Sequence, residues 1–116
     1  MRALIVASLG INIAVLVPVC FSLLAKSDWT LVAYGADSPA RGILLSIYLA
    51  ILVASTGLLF KPVPTMVAAL LMLQVLYKLT TPITVGTLSN PVVISNLAIA
   101  AFHCLTLAAI WNGRQA

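Results

Sequence analysis

Charge is what this sequence has least of. Six Lys or Arg and two Asp are its whole ionic complement, and it contains no Glu. A water-soluble domain draws about a quarter of its residues from the four charged types to cover its surface. Here the share is 7% of 116 residues. So few charges cannot solvate a globule of this size, and a mean hydropathy of +1.20 places its outer surface against lipid. The cations stand singly at the ends of apolar runs, where lipid headgroups lie. With no basic cluster to follow a phosphate backbone, nucleic acid is excluded as a partner. Cysteine occurs only at Cys20 and Cys104, a spacing that matches no zinc, haem or disulfide framework. Both read as small apolar residues. They differ in depth by about 13 Å at the helical rise, too far for a bond.

Long hydrophobic runs are plentiful. The first extends over 3–25, between Arg2 and Lys26, roughly 34 Å at the helical rise and enough to span a bilayer. It exceeds a signal-peptide core and lacks a cleavage site, so it reads as a membrane helix kinked near Pro18. Residues 26–41 form a loop with Trp29 and Tyr34 at the membrane interface. Asp37-Ser38-Pro39 starts the second span, 42–60, as a cap followed by proline, and Asp37 is spaced to pair with Arg41. The Lys61-Pro62-Val63-Pro64 turn makes the second and third spans antiparallel neighbours. The third run, 64–79, is only about 24 Å long and needs Lys61 and Lys78 to snorkel at its ends. Residues 80–91 are read as lying flat at the interface. Ser89-Asn90-Pro91 then repeats the cap-and-proline start for the fourth span, 92–111, anchored by Trp111 and Arg114.

The expected fold is an all-α integral membrane protein, a four-transmembrane-helix antiparallel bundle of two hairpins with no soluble domain. Both chain ends then lie on one side. The positive-inside count is tied, Arg2, Lys61 and Arg114 against Lys26, Arg41 and Lys78. The two acids on the second side favour cytoplasmic termini in a bacterial-type inner membrane.

Helices in lipid associate by close packing. The second span carries Gly42, Ser46, Ala50 and Ala54 at every fourth residue, a stripe expected to receive a neighbouring backbone. A similar line, Asn96, Ala100, Cys104 and Ala108, lies on the fourth. The polar residues of the spans fall into two layers. His103 and Asn12 lie about 2–3 Å from the midplane on the terminal side, at matching depth for a hydrogen bond. Gln74, Tyr48 and Asn96 lie about 4–8 Å to the other side. These five are the candidate ligand-binding residues. They read either as interhelical hydrogen bonds fixing the bundle register or as a pocket for a quinone, a lipid headgroup or a pigment.

No acid lies in any expected span, which argues against proton-coupled transport. The size and four-helix layout resemble the small multidrug resistance exporters. Their working residue is a glutamate in the first helix, where this chain has only Asn12, so that family is not assigned. With no metal-ligand or nucleophile constellation either, the expectation is a non-enzymatic accessory subunit of a larger membrane assembly, such as an energy-converting complex, surrounded by membrane lipids and needing no cofactor. The alternatives are a carrier or channel for a small solute, or a quinone-, lipid- or pigment-binding protein using the Asn12/His103 layer.

Overall fold

The computed structural model describes residues 2–115, with side chains through residue 113; the expected anchor at Arg114 lies outside the described side chains. The described chain is helical and consists of α1 (Arg2–Leu24), α2 (Asp28–Tyr34), α3 (Pro39–Phe60), α4 (Pro64–Val85) and α5 (Pro91–Gln115). The four long helices are each long and apolar enough to cross a membrane. Their bundle measures 48 × 27 × 19 Å. Its long axis therefore exceeds a hydrocarbon core of about 30 Å and reaches the headgroup zones beyond it.

Helix starts follow the sequence signals. Ser38 sits in extended backbone ahead of Pro39, and its hydroxyl accepts the Arg41 N–H at 3.3 Å, as an N-cap should. Asn90 Oδ1 accepts the Val92 N–H at 2.9 Å, while its amide donates to the Ala33 carbonyl at 2.8 Å. One side chain thus caps α5 and ties it to α2.

Three expectations about the elements are corrected. The third span does not stop at residue 79. α4 continues through Pro82 to Val85 and ends on Gly86, whose left-handed backbone closes the last turn. Proline removes one backbone donor, the one that would reach the Lys78 carbonyl; the Thr80 and Thr81 hydroxyls donate to the Tyr77 carbonyl at 2.9 and 2.8 Å, which keeps these two side chains bonded within the helix. At 22 residues, α4 is about 33 Å long by its rise, and most of the segment expected to lie flat at the interface is helix. Lys78 therefore sits well inside the helix instead of snorkelling at its end, and is only 6% exposed. In the 26–41 segment the structure places α2 where the sequence suggested loop. Asp37 does not pair with Arg41: its carboxylate meets Lys26 at 2.8 Å, and that ammonium draws the carboxyl below its usual value. Arg41 turns inward and donates to the Gly35 carbonyl at 2.8 Å and the Thr30 hydroxyl at 2.7 Å.

α1 packs along α3 and α4 along α5, and the two hairpins meet mainly through α1 and α5. α3 and α4, though consecutive, touch little. Lys61 and Val63 each precede a proline, which disfavours helical backbone; Val63 is extended and Lys61 also lies outside the helical region. This turn separates the helices instead of pressing them together. One apolar cluster, including Ile5, Leu9, Leu58, Leu71 and Ile110, fills the end of the bundle nearer the termini. A second, with Leu16, Cys20, Leu23, Tyr48 and Ile51, fills the other end between α1 and α3. Polarity is inverted relative to a water-soluble bundle. Ser8, Asn12, Ser55, Gln74, His103 and Thr106 are buried, while Phe21, Val53, Phe60 and Ile83 point outward. That distribution suits a lipid solvent.

The small-residue stripe on α3 also faces outward. Gly42, Ser46 and Ala50 are exposed and Ala54 is half-buried, with open space beside Gly42. A strict four-residue repeat advances 400° per step and drifts about 40° each time around a 3.6-residue helix. The inward face follows a three–four alternation instead: Tyr48, Ile51, Ser55 and Leu58 on α3, and Val93, Asn96, Ala100, His103 and Thr106 on α5. On α5 the expected line therefore starts inside at Asn96 and Ala100 and has rotated out by Cys104. Both cysteines are free, Cys20 buried and Cys104 exposed.

Candidate functional site

A polar layer crosses the middle of the bundle. His103 on α5 lies with Nε2 3.0 Å from Asn12 Oδ1 on α1, and the Asn12 amide nitrogen donates to Ser55 Oγ on α3 at 3.0 Å. Because that nitrogen is the donor to serine, the Asn12 oxygen is an acceptor, and His103 must donate through Nε2–H. The network thus requires a proton on Nε2 and makes no use of Nδ1. One turn along, Thr106 donates to the Leu4 carbonyl at 3.2 Å and accepts from Ser8 at 2.6 Å. These bonds lock α1 to α5 and α3 at fixed register. His103 Nδ1 and both amide atoms of Gln74 are buried with no hydrogen-bond partner among the described residues.

Beside this layer, toward α2, lies a cavity of about 180 Å³ to which all five helices contribute. α1 supplies Asn12 and Leu16, α2 supplies Trp29 and Tyr34, and α3 supplies Tyr48. α4 adds Tyr77 and Lys78, and α5 adds Ser95, Asn96 and Ile99. All three tyrosines of the chain line it. Tyr34 packs edge-on to Tyr48 with ring centroids 6.0 Å apart, and Trp29 meets Tyr34 at 6.1 Å. Burial pushes the Tyr34 phenol well above its usual value, so it remains a neutral hydroxyl able to donate a hydrogen bond. The Lys78 ammonium stands 5.8 Å from the Tyr77 ring centroid, within cation–π range. Arg41 holds the α2 wall in place through Thr30 and Gly35. A second cavity, about 350 Å³, shares the three tyrosines, Val92 and Asn96 and continues past Thr80, Thr81 and Thr84. Its lining draws on α3 and α4 where those two helices are loosely packed.

The sequence-predicted residues divide between these features. Asn12 and His103 meet, and Asn12 also reaches the cavity. Tyr48 and Asn96 line it directly, with the Asn96 amide also 3.4 Å from Thr81 Oγ1. Gln74 is 1% exposed but does not line the cavity, so the expected Tyr48/Gln74/Asn96 layer does not form as one group. Trp29, Tyr34, Tyr77 and Lys78 were missed. The first two read as interfacial anchors, and the last two looked like the end of a short helix. The available signal was Lys78 one turn beyond Gln74, which puts both on one face. Among the described residues no three His, Cys, Asp or Glu side chains gather.

Fold and site together define an all-helical chain with four helices of membrane-crossing length around an aromatic, amide- and lysine-bearing cavity. No family model, curated protein or solved structure matches it.

Proposed function

We propose that the protein is a multi-pass membrane protein that binds, without chemical transformation, the oxygen-bearing headgroup of a small amphiphile such as a quinone or a lipid. The supporting observation is the cavity lining. Four aromatic rings, two amides and one ammonium offer flat apolar walls with a few orienting polar groups, the usual composition of a ligand site. The volume favours a single-ring or short-chain headgroup over a tetrapyrrole, since a cavity of about 150 Å³ already holds benzene.

Single-tryptophan proteins test this reading in mild detergent. A benzoquinone with a short alkyl tail should quench Trp29 saturably in Trp111→Phe. It should quench Trp111 only in proportion to partitioning in Trp29→Phe. Linear quenching of both tryptophans would sink the proposal.

A second reading, the accessory subunit of a larger membrane assembly, is favoured by the outward stripe of Gly42, Ser46 and Ala50 on α3. Small residues on an outer face suit close approach of a foreign helix. The full length of α4 removes another support, the thin face that a short third span would have left. Gentle extraction decides it: a stable copurifying partner supports the assembly role, and solitary extraction removes it.

A further inference from the structure

We infer that Lys78 is the counter-charge for an anionic headgroup, and that the ligand of the α1–α5 cavity is a monocarboxylate on an apolar body. The inference rests on the binding function proposed above and specifies its ligand.

Lys78 lies about 5 Å from the middle of α4 by the helical rise, well within a hydrocarbon core of about 30 Å. The residue is only 6% exposed. Lysines near helix ends normally bend toward the headgroups, but this one borders the cavity. Charge at this depth is costly and is normally paired. Here no carboxylate pairs with it: the chain has only Asp28 and Asp37, and the sole ion pair among the described residues joins Asp37 to Lys26. The Tyr77 face, 5.8 Å away, offsets part of the ammonium's lost hydration but leaves its hydrogen-bond donors free. A carboxylate would neutralise the charge and accept those donors. Asn12 and Asn96 flank the same space and can donate to a second oxygen. The aromatic walls suit a ring as the body, while the adjoining cavity, which shares the three tyrosines and runs on past Thr80, Thr81 and Thr84, gives an acyl chain room. The shared chemistry is the carboxylate, whether its source is an aryl acid or a fatty acid.

The test is a titration of the full chain in neutral detergent, followed by Trp29 emission in Trp111→Phe. The probes are 4-butylbenzoate and octanoate, each against its matched alcohol. We expect each acid to bind at least about tenfold more tightly than its alcohol. Preference for the benzoate assigns the aryl source, and preference for octanoate the acyl source. Lys78→Met should bring the acid-to-alcohol affinity ratio to about one, and Lys78→Arg should retain the acid preference. The wild-type acid-to-alcohol ratio decides the matter even if Lys78→Met fails to fold. Equal binding of acid and alcohol would overturn the carboxylate while leaving the pocket intact. Saturable binding of no probe, quinone included, would overturn both the carboxylate and the binding function.

Discussion

Among the described residues Asn12 is the one side chain whose hydrogen bonds join three helices, so its removal should expose how the bundle is held. Asn12→Leu breaks the 3.0 Å bonds to His103 and Ser55. Interhelical bonds in lipid average about 0.6 kcal/mol each, so the two contribute about 1 kcal/mol. The larger effect is on what remains. His103 is fully buried, with Nδ1 already unpartnered, and the substitution leaves its Nε2–H unpaired as well. An unsatisfied buried donor costs about 1–3 kcal/mol, giving about 2–4 kcal/mol in total. His103→Leu should have a similar effect by leaving the Asn12 oxygen bare. Replacing both partners removes the orphaned groups together, so Asn12→Leu/His103→Leu should be clearly less destabilised than the sum of the single variants. The assay is reversible unfolding from mixed micelles with a denaturing detergent, followed by tryptophan emission. Additive single effects, with a coupling below about 0.5 kcal/mol, would refute the hydrogen-bonded layer.

Other outcomes follow from the same contacts. Thr106→Val deletes the bonds to Ser8 and the Leu4 carbonyl and should cost about 1–2 kcal/mol in the same unfolding assay, within the range of two such bonds in lipid. Arg41→Ala should release α2, read as faster amide exchange over 28–35 and a red-shifted Trp29, while exchange in α3 is unchanged. The Asp37 carboxyl is lowered by Lys26, so the pair's contribution is complete above the ordinary carboxylate value. It is lost as pH falls through the lowered one. Local exchange at 26–38 should rise only in that acid range, and Asp37→Asn should remove the pH dependence. Cys20 is buried and Cys104 exposed, so Cys20→Trp should destabilise the bundle far more than Cys104→Trp in the same unfolding assay.

The helices were legible because the apolar runs are long and the caps at Ser38 and Asn90 are local signals. The end of α4 was not. Thr-Thr-Pro reads as a breaker in water, but here the helix runs on through Pro82, with both threonine hydroxyls bonded back to the Tyr77 carbonyl. That misjudged end then hid Lys78 and Tyr77, because a lysine placed at a helix terminus has an obvious place among headgroups. The Asn12–His103 contact could be anticipated because equal depth needs only the rise per residue. Which helices meet depends on long-range packing, which is why the stripe at Gly42, Ser46 and Ala50 was assigned to the wrong face. The role of Arg41 was hidden for a related reason. Its four-residue spacing to Asp37 suggested a pair, while the acceptors it uses, the Gly35 carbonyl and Thr30 hydroxyl, exist only once α2 forms.

The central claim is that the bundle holds a ligand site, and what the protein carries out of its own membrane tests it most directly. Solvent extraction of the gently purified protein, followed by mass spectrometry, should recover one small amphiphile at about one per chain. It should be absent from Ile99→Trp, which places an indole at a half-buried lining position of the cavity. Recovery of only bulk lipids, in the same amounts from both proteins, would contradict the account.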